Sequence, residues 1–404
     1  MIDAPARSAG RIRTLDLIRG VAILGILTVN MAGFAGPMAA TLTPDWNGPA
    51  SAGDHLAFLA TFVLFEGKMR GLLSLLFGAS MMLFLESAEA RGRSGDGLQL
   101  RRLIWLGVIG YLHFLLLWWG DILFTYALAG FFALLLRHLP VKAMVPAALL
   151  AFGAWHGSGM ASSIAPILAE ARFEARVSPP AEAKALAELK ARKEAMNRAE
   201  LAREQGAYLP LLAHKAGPDA ALPMIAALLS LGEVLPMMLI GMALYRSGFF
   251  TGGWPVRMLR RVAVAGIGCG AIVTLGLAIM ASRADFAAIT MEAVLAYWAA
   301  VPHLLMTLGY AALLVLLGER HGEGRFGRRI VAVGQLALSN YLACSLAFTA
   351  IFYGWGLGLI GTVPQRWHWA FVLGGWIAML WWSKPWLARF GQGPAERLWR
   401  RLAS

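Results

Sequence analysis

An aspartate, an arginine and an asparagine share the first apolar stretch of this sequence, RTLDLIRGVAILGILTVN at residues 13–30. Asp16 and Arg19 stand at i,i+3, a helical spacing at which they can pair. On a helix the step from Arg19 to Asn30 ends about 20° past three full turns, so both lie on one face about 16 Å apart. Inside a bilayer such groups cost several kcal/mol unless paired or hydrated, which makes them functional candidates. Arg19 can hold an anion inward or snorkel to the headgroups. Asn30 can donate to a developing oxyanion or bond a neighbouring helix.

Further along the chain, His113 lies about 18 Å of helix beyond Arg101, and Trp118, Trp119, Gly120 and Asp121 then mark an interface. A neutral imidazole at that depth suits a general base near pH 7; the alternative is a core histidine satisfied by a neighbour. Asp121 after Gly120 is a natural N-cap for the next helix, and Tyr126 is either packing or a hydroxyl donor. Glu233 sits mid-stretch with Pro236 following, and Pro302-His303 repeats that combination of a helix break and an ionisable group. Asn340 and Tyr341 add an amide and a phenol. The pattern predicts a polar cavity. His113 as base, Asn30 as oxyanion donor, Asp121 and Glu233 are the catalytic candidates; Asp16, Arg19, Arg101 and Arg102 are candidates for holding an anionic donor. There is no Walker loop, no Gly-x-Ser-x-Gly elbow, no His-Glu-x-x-His and no zinc-like Cys/His spacing, so no metal is expected.

The elements that must position these groups are membrane helices. Of the 404 residues, 58% are hydrophobic and only 15% charged, well below the roughly 25% of a soluble domain. The mean hydropathy is +0.62. The net charge of +13 would suit nucleic acid or an anionic membrane surface, and the apolar runs decide for the membrane. The two cysteines, Cys269 and Cys344, fall inside those runs and read as core residues. The sequence predicts an all-α polytopic bundle of about ten spans at a ~20-residue threshold: 14–35, 69–87, 102–119, 121–137, 141–165, 222–245, 258–281, 293–318, 330–353 and 368–388. Residues 55–66 are too short to cross comfortably and read as a helix at the outer surface. Residues 169–221 read as an outer helical segment, which divides the chain into an N-terminal bundle (1–168), this segment, and a C-terminal bundle (222–404). Alternate loops collect most of the 36 basic residues, including Arg7, Arg11, Arg13 and Arg19, then Arg91, Arg93, Arg101 and Arg102, and at the far end Arg397, Arg400 and Arg401. The positive-inside rule therefore predicts cytoplasmic termini. The N-terminus imitates a signal peptide but reads as an uncleaved first span.

Beyond these patterns, the blocks RTLDLIRGVAILGILTVN, FEGKMRGLLSLLFG, GYLHFLLLWWGDILFTYALAG, MMLIGMALYRSGFF, LALSNYLACS and GQGPAERLWRRL resemble those of the YeiB-like bacterial membrane proteins, domain-of-unknown-function 418. That family is grouped by similarity with transmembrane acyltransferases, including heparan-alpha-glucosaminide N-acetyltransferases. Leu15-Asp16, Arg19-Gly20 and Val29-Asn30 resemble a first-span block of the heparan enzymes, with Asn30 where they carry an active-site Asn. Trp46-Asn47-Gly48 also resembles their outer loop, but Thr43 stands where their acetyl-handling His would be. His113 is then the candidate to supply the base.

The resemblance implies an acyltransferase of the bacterial inner membrane that moves an acyl group from a cytoplasmic acyl-CoA-type donor to a small-molecule, lipid or glycan acceptor at the outer face. The alternative is a proton-coupled secondary transporter or lipid-linked carrier using Glu233 with His113 or His303. The lipid bilayer is the expected partner, nucleic acid is not, and a homo-oligomer is compatible with the sequence.

Overall fold

A computed structural model of the chain describes residues 12–403. Arg7 and Arg11, and the side chain of Arg320, lie outside what is described. Among the described residues the chain is helical, with one isolated bridge between Trp46 and Gly48. The first half holds α1 (Arg13–Ala35), α2 (Ala52–Leu64), α3 (Lys68–Glu89), α4 (Gly95–Leu116), α5 (Leu123–Leu135) and α6 (Val141–Glu174). Two further helices, α7 (Pro180–Glu204) and α8 (Tyr208–Ala216), fall in the segment 169–221. The second half holds α9 (Leu222–Arg246), α10 (Val256–Arg283), α11 (Ala288–Ala293), α12 (Ala300–His321), α13 (Arg325–Gln335), α14 (Ala337–Phe352), α15 (Gln365–Phe390) and α16 (Pro394–Ala403).

Each apolar run folds as helix, but the runs are not ten equivalent spans. Five stretches are long and apolar enough to cross a membrane: Arg13–Ala35, Ala52–Glu89, Leu222–Arg246, Val256–Arg283 and Ala300–Gly318. The pair α13 and α14 makes a sixth if its 80° bend is counted within one span. The others are shorter or less apolar; α5, for instance, has only 13 residues, about 20 Å of helix. Residues 55–66 fall in the separate helix α2 and the turn after it, and α2 with α3 makes one 38-residue apolar stretch. The boundary drawn at 168 falls inside α6, which continues to Glu174.

The core forms around α1, which packs against α3, α12, α13, α14 and α15. Its crossing with α13 is backbone on backbone. A Cβ on Gly334 would lie 1.9 Å from the Asp16 carbonyl oxygen, and one on Gly20 would lie 2.1 Å from that of Ile330. Two glycines thus hold Gln335 against Asp16. The α13–α14 bend is stabilised by Glu396 of α16, whose Oε1 accepts from the Leu338 and Ser339 amides at 2.8 and 3.1 Å. A carboxylate at a new helix N-terminus satisfies otherwise orphaned donors. At the periphery α10 presents Val264, Ile272, Leu275 and Ile279 outward, an apolar face suited to lipid rather than water.

Candidate functional site

The catalytic candidates do not converge on one point; they form three clusters. The first lies where α4 ends. His113 occupies its last turn, and the chain then reverses through residues 117–122 so that Asp121 returns beside it. Gly110 makes room for that reversal, since a Cβ there would sit 2.3 Å from the Phe124 nitrogen. Asp121 turns a different oxygen to each of two neighbours. Oδ1 accepts the Phe124 amide at 2.7 Å as an N-cap, while Oδ2 lies 2.8 Å from His113 Nδ1. That approach is off the line of an ideal hydrogen bond, yet neither atom has another partner among the described residues. On the far side of the ring, His113 Nε2 is 2.8 Å from Ser345 Oγ of α14. With Nδ1–H facing the carboxylate, Nε2 is left to accept from the serine hydroxyl. All three groups are buried.

Tyr341, one turn before Ser345, stacks against His113 with ring centroids 5.0 Å apart. Its hydroxyl donates to the Gly120 carbonyl at 3.1 Å and accepts the Ile122 amide at 3.3 Å, which pins the loop carrying Asp121. No hydrogen bond joins Asn30 to His113 among the described residues. Asn30 lines a void of about 10 Å³ with Ser345, Tyr341, Ile23 and Cys344, and its side chain makes no hydrogen bond among the described residues. Trp118 lies in the chain reversal and is buried. Its indole donates to Gly33 at 3.0 Å, and Phe34 packs between it and Phe348 at centroid distances of 4.2 and 5.7 Å. Asn340 is fully committed to structure, bonded to the Val333 carbonyl, Ser383 and Trp382 at the α13–α14 bend.

The second cluster is a cavity of about 270 Å³ between α1, α3, α4, α5, α14 and α16. Arg19, Arg102 and Arg400 stand along it, Leu73, Phe77 and Leu106 wall it, and Tyr126, Ile122 and Tyr341 also line it. The pair expected from spacing is present: Arg19 Nη1 meets Asp16 at 2.8 Å, and Nη2 donates to Ser80 at 2.7 Å. Gln335 donates to the other Asp16 oxygen at 3.2 Å. Asp16 therefore turns the guanidinium into the bundle instead of letting it snorkel. Arg102 stacks between Phe84 and Trp399, 3.9 and 4.5 Å from the ring centres, and neither it nor Arg400 has a carboxylate partner among the described residues. Arg101 differs from expectation: it is exposed and lies outside the cavity lining.

Glu233 belongs to the third cluster, apart from His113. Arg70 of α3 grips it through Nε and Nη2 at 3.1 and 3.0 Å. His156 and His303 share a small void with that pair, each with an unpartnered Nε2 among the described residues. The Arg70 carbonyl accepts from Tyr126 and Ser74 at 3.1 and 2.9 Å, tying this cluster to the cavity wall.

Ser345, Ser80, Arg70 and Arg400 were missed in the sequence. Serines carry no charge to betray them, but Tyr341 and Ser345 stand at i,i+4, a one-face spacing that could have drawn attention.

The α7–α8 segment clamps the two helices that bear the first cluster. From α8, Lys215 donates to the Leu117 carbonyl at 3.2 Å; Tyr208 beside it donates to Leu116 at 2.8 Å. From the end of α7, Glu204 accepts the Tyr353 hydroxyl at 2.8 Å, and its carbonyl accepts the Gly354 amide at 2.8 Å. Burial, reinforced by nearby Glu200, raises the Glu204 carboxyl from 4.5 to about 8. Burial likewise lowers the Lys215 amine from 10.5 to about 8. Between about pH 4.5 and 8 the docked segment holds a proton on Glu204 that the released one does not, so docking weakens as pH rises. Above about 8 the released Lys215 binds the extra proton and the slope reverses. Hydrogen exchange across 204–216, corrected for intrinsic rates, should show minimal protection near pH 8, with Glu204→Gln removing the acidic limb. A flat profile from pH 6 to 8 in the unmodified chain would contradict this.

Fold and site together define a polytopic helical membrane protein with a buried polar interior. Residues 244–404 match the family described as "Protein of unknown function (DUF418)". The chain is 31% identical to the "Uncharacterized protein YeiB" of Escherichia coli (strain K12) over 394 residues, covering 96% of this chain and 95% of that one. It is 29% identical over 415 residues to the "Uncharacterized protein YxaH" of Bacillus subtilis (strain 168), covering 98% and 95%. The protein belongs to this YeiB-like DUF418 family. No solved structure matches it.

Proposed function

We propose that the protein is an integral-membrane acyltransferase of the bacterial inner membrane. It takes an acyl-CoA-type donor from the cytoplasm and passes the acyl group to an acceptor at the outer face. The observation that carries this reading is the cavity. Guanidinium groups without carboxylate partners stand beside apolar walls, and Tyr341, which lines the cavity, also stacks on His113. An anionic donor with an apolar arm matches that polarity: phosphates meet Arg102, Arg400 and Arg19, and the thioester arm extends toward Tyr341. A volume of about 270 Å³ suits the arm while the nucleotide end stays in water. The basic end is cytoplasmic by the positive-inside rule, and His113 supplies the base.

A fluorescent acyl-CoA should bind the purified chain saturably and bind inverted, but not right-side-out, vesicles. Arg102→Gln should weaken binding roughly 10- to 100-fold, the loss of a charged hydrogen bond of about 1.5–3 kcal/mol. Absence of saturable binding would sink the proposal.

A second reading, proton-coupled transport, draws on the unpartnered imidazole nitrogens of His156 and His303 beside Arg70 and Glu233. It requires uptake into proteoliposomes driven by a pH gradient, without release of free CoA.

A further inference from the structure

We infer that Ser345 is a nucleophile and that the acyl group passes through an ester on its Oγ. The inference rests on the acyltransferase reading above and adds a covalent step to it. Its basis is the chain of contacts Ser345 Oγ to His113 Nε2 at 2.8 Å and His113 Nδ1 to Asp121 Oδ2 at 2.8 Å. A serine hydroxyl is a weak nucleophile until an adjacent base takes its proton, and that base works best when a third group fixes its tautomer. Here α14 supplies the hydroxyl, α4 the imidazole, and the loop before α5 the carboxylate. A structural role for Ser345 alone would need no buried carboxylate behind the imidazole.

The surroundings serve the same chemistry. The void lined by Ser345 also receives Asn30, whose amide is not committed elsewhere among the described residues and can donate to a tetrahedral oxyanion. Ile23 and Tyr341 line both this void and the larger cavity. They are the shared wall between donor and nucleophile, and this wall must open for the thioester to reach Ser345. In the first half-reaction Ser345 Oγ attacks the thioester carbonyl. A C–O bond forms, the C–S bond breaks, and the hydroxyl proton passes through His113 Nε2 to the leaving thiolate. In the second, the acceptor hydroxyl or amine gives its proton to Nε2 and attacks the ester. The serine oxygen leaves and regains that proton. No oxidant or further reactant enters.

The test needs no acceptor. The full chain in detergent is incubated with radiolabelled acyl-CoA, quenched in acid and mapped by mass spectrometry. One acyl group per chain is expected on Ser345, none at that position in Ser345→Ala, and labelling slowed at least 100-fold in His113→Ala. Ser345→Cys should label at residue 345 as a thioester that neutral hydroxylamine releases, unlike the parent ester. Monodispersity and acyl-CoA binding of Ser345→Ala establish that it is folded. Saturable, Arg102-dependent binding with no label on Ser345, or transfer that persists in folded Ser345→Ala, overturns the nucleophile while the donor cavity stands. Loss of both binding and label in the unmodified chain overturns the acyltransferase reading as well.

Discussion

Asp121→Asn should slow thioester cleavage, followed as free CoA thiol, by roughly 10³- to 10⁴-fold, the scale seen when an analogous carboxylate is made an amide. Asparagine keeps an oxygen for the Phe124 amide, so the N-cap and the start of α5 survive. Its NH2 then faces His113 Nδ1, and two donors cannot pair. The imidazole must move its proton to Nε2, the atom that has to receive one from Ser345. The chemistry is lost through the tautomer while donor binding at Arg102 remains. His113→Gln should be at least as severe. If either variant cleaved acyl-CoA at the parent rate, the His113 cluster would have only a packing role.

The other large effect is on stability. Arg70→Gln or Glu233→Gln alone should destabilise the protein by about 1.5–3 kcal/mol, because removing one partner of this part-buried pair takes two charged hydrogen bonds from the other. The double variant should lose less than the sum of the two, with a coupling of roughly 0.5–3 kcal/mol. Arg70 earns the large figure through its two-point grip on Glu233, and its own carbonyl anchors Tyr126 and Ser74. Thermal unfolding in detergent, with the two single variants and the double measured in parallel, checks this. Strictly additive losses would mean that the grip carries no weight.

Much of this arrangement was legible in the sequence where partners are close along the chain or where a polar group stands out against an apolar run. Asp16 and Arg19 are one turn apart, and their ion pair follows from helix geometry. His113 was conspicuous because imidazoles are rare in hydrocarbon. Its partners were less so. Asp121 reaches it through a chain reversal whose tightness depends on Gly110, and Ser345 arrives from 232 residues away. Glu233 drew notice, but nothing in the apolar pattern singles out Arg70, its partner 163 residues earlier. The 80° break between Gln335 and Ala337 was hidden because hydropathy runs unbroken across 330–353, while the cap that stabilises it comes from Glu396 in the tail. Hydropathy reports what a segment avoids, and these contacts depend on what distant segments supply.

The packing of Phe34 between Trp118 and Phe348 also bears on the energetics of the cell. An aqueous thread from the basic cavity past His113 would let protons run down the membrane potential, each charge dissipating about 2.3 kcal/mol per 100 mV. Phe34, Trp118 and Phe348 are all buried, and rings packed in this way form a dry bulkhead that such a thread would have to breach. An acyl group handed across on a side chain would leave that bulkhead standing, so chemistry could proceed on both faces while the bilayer stays electrically tight.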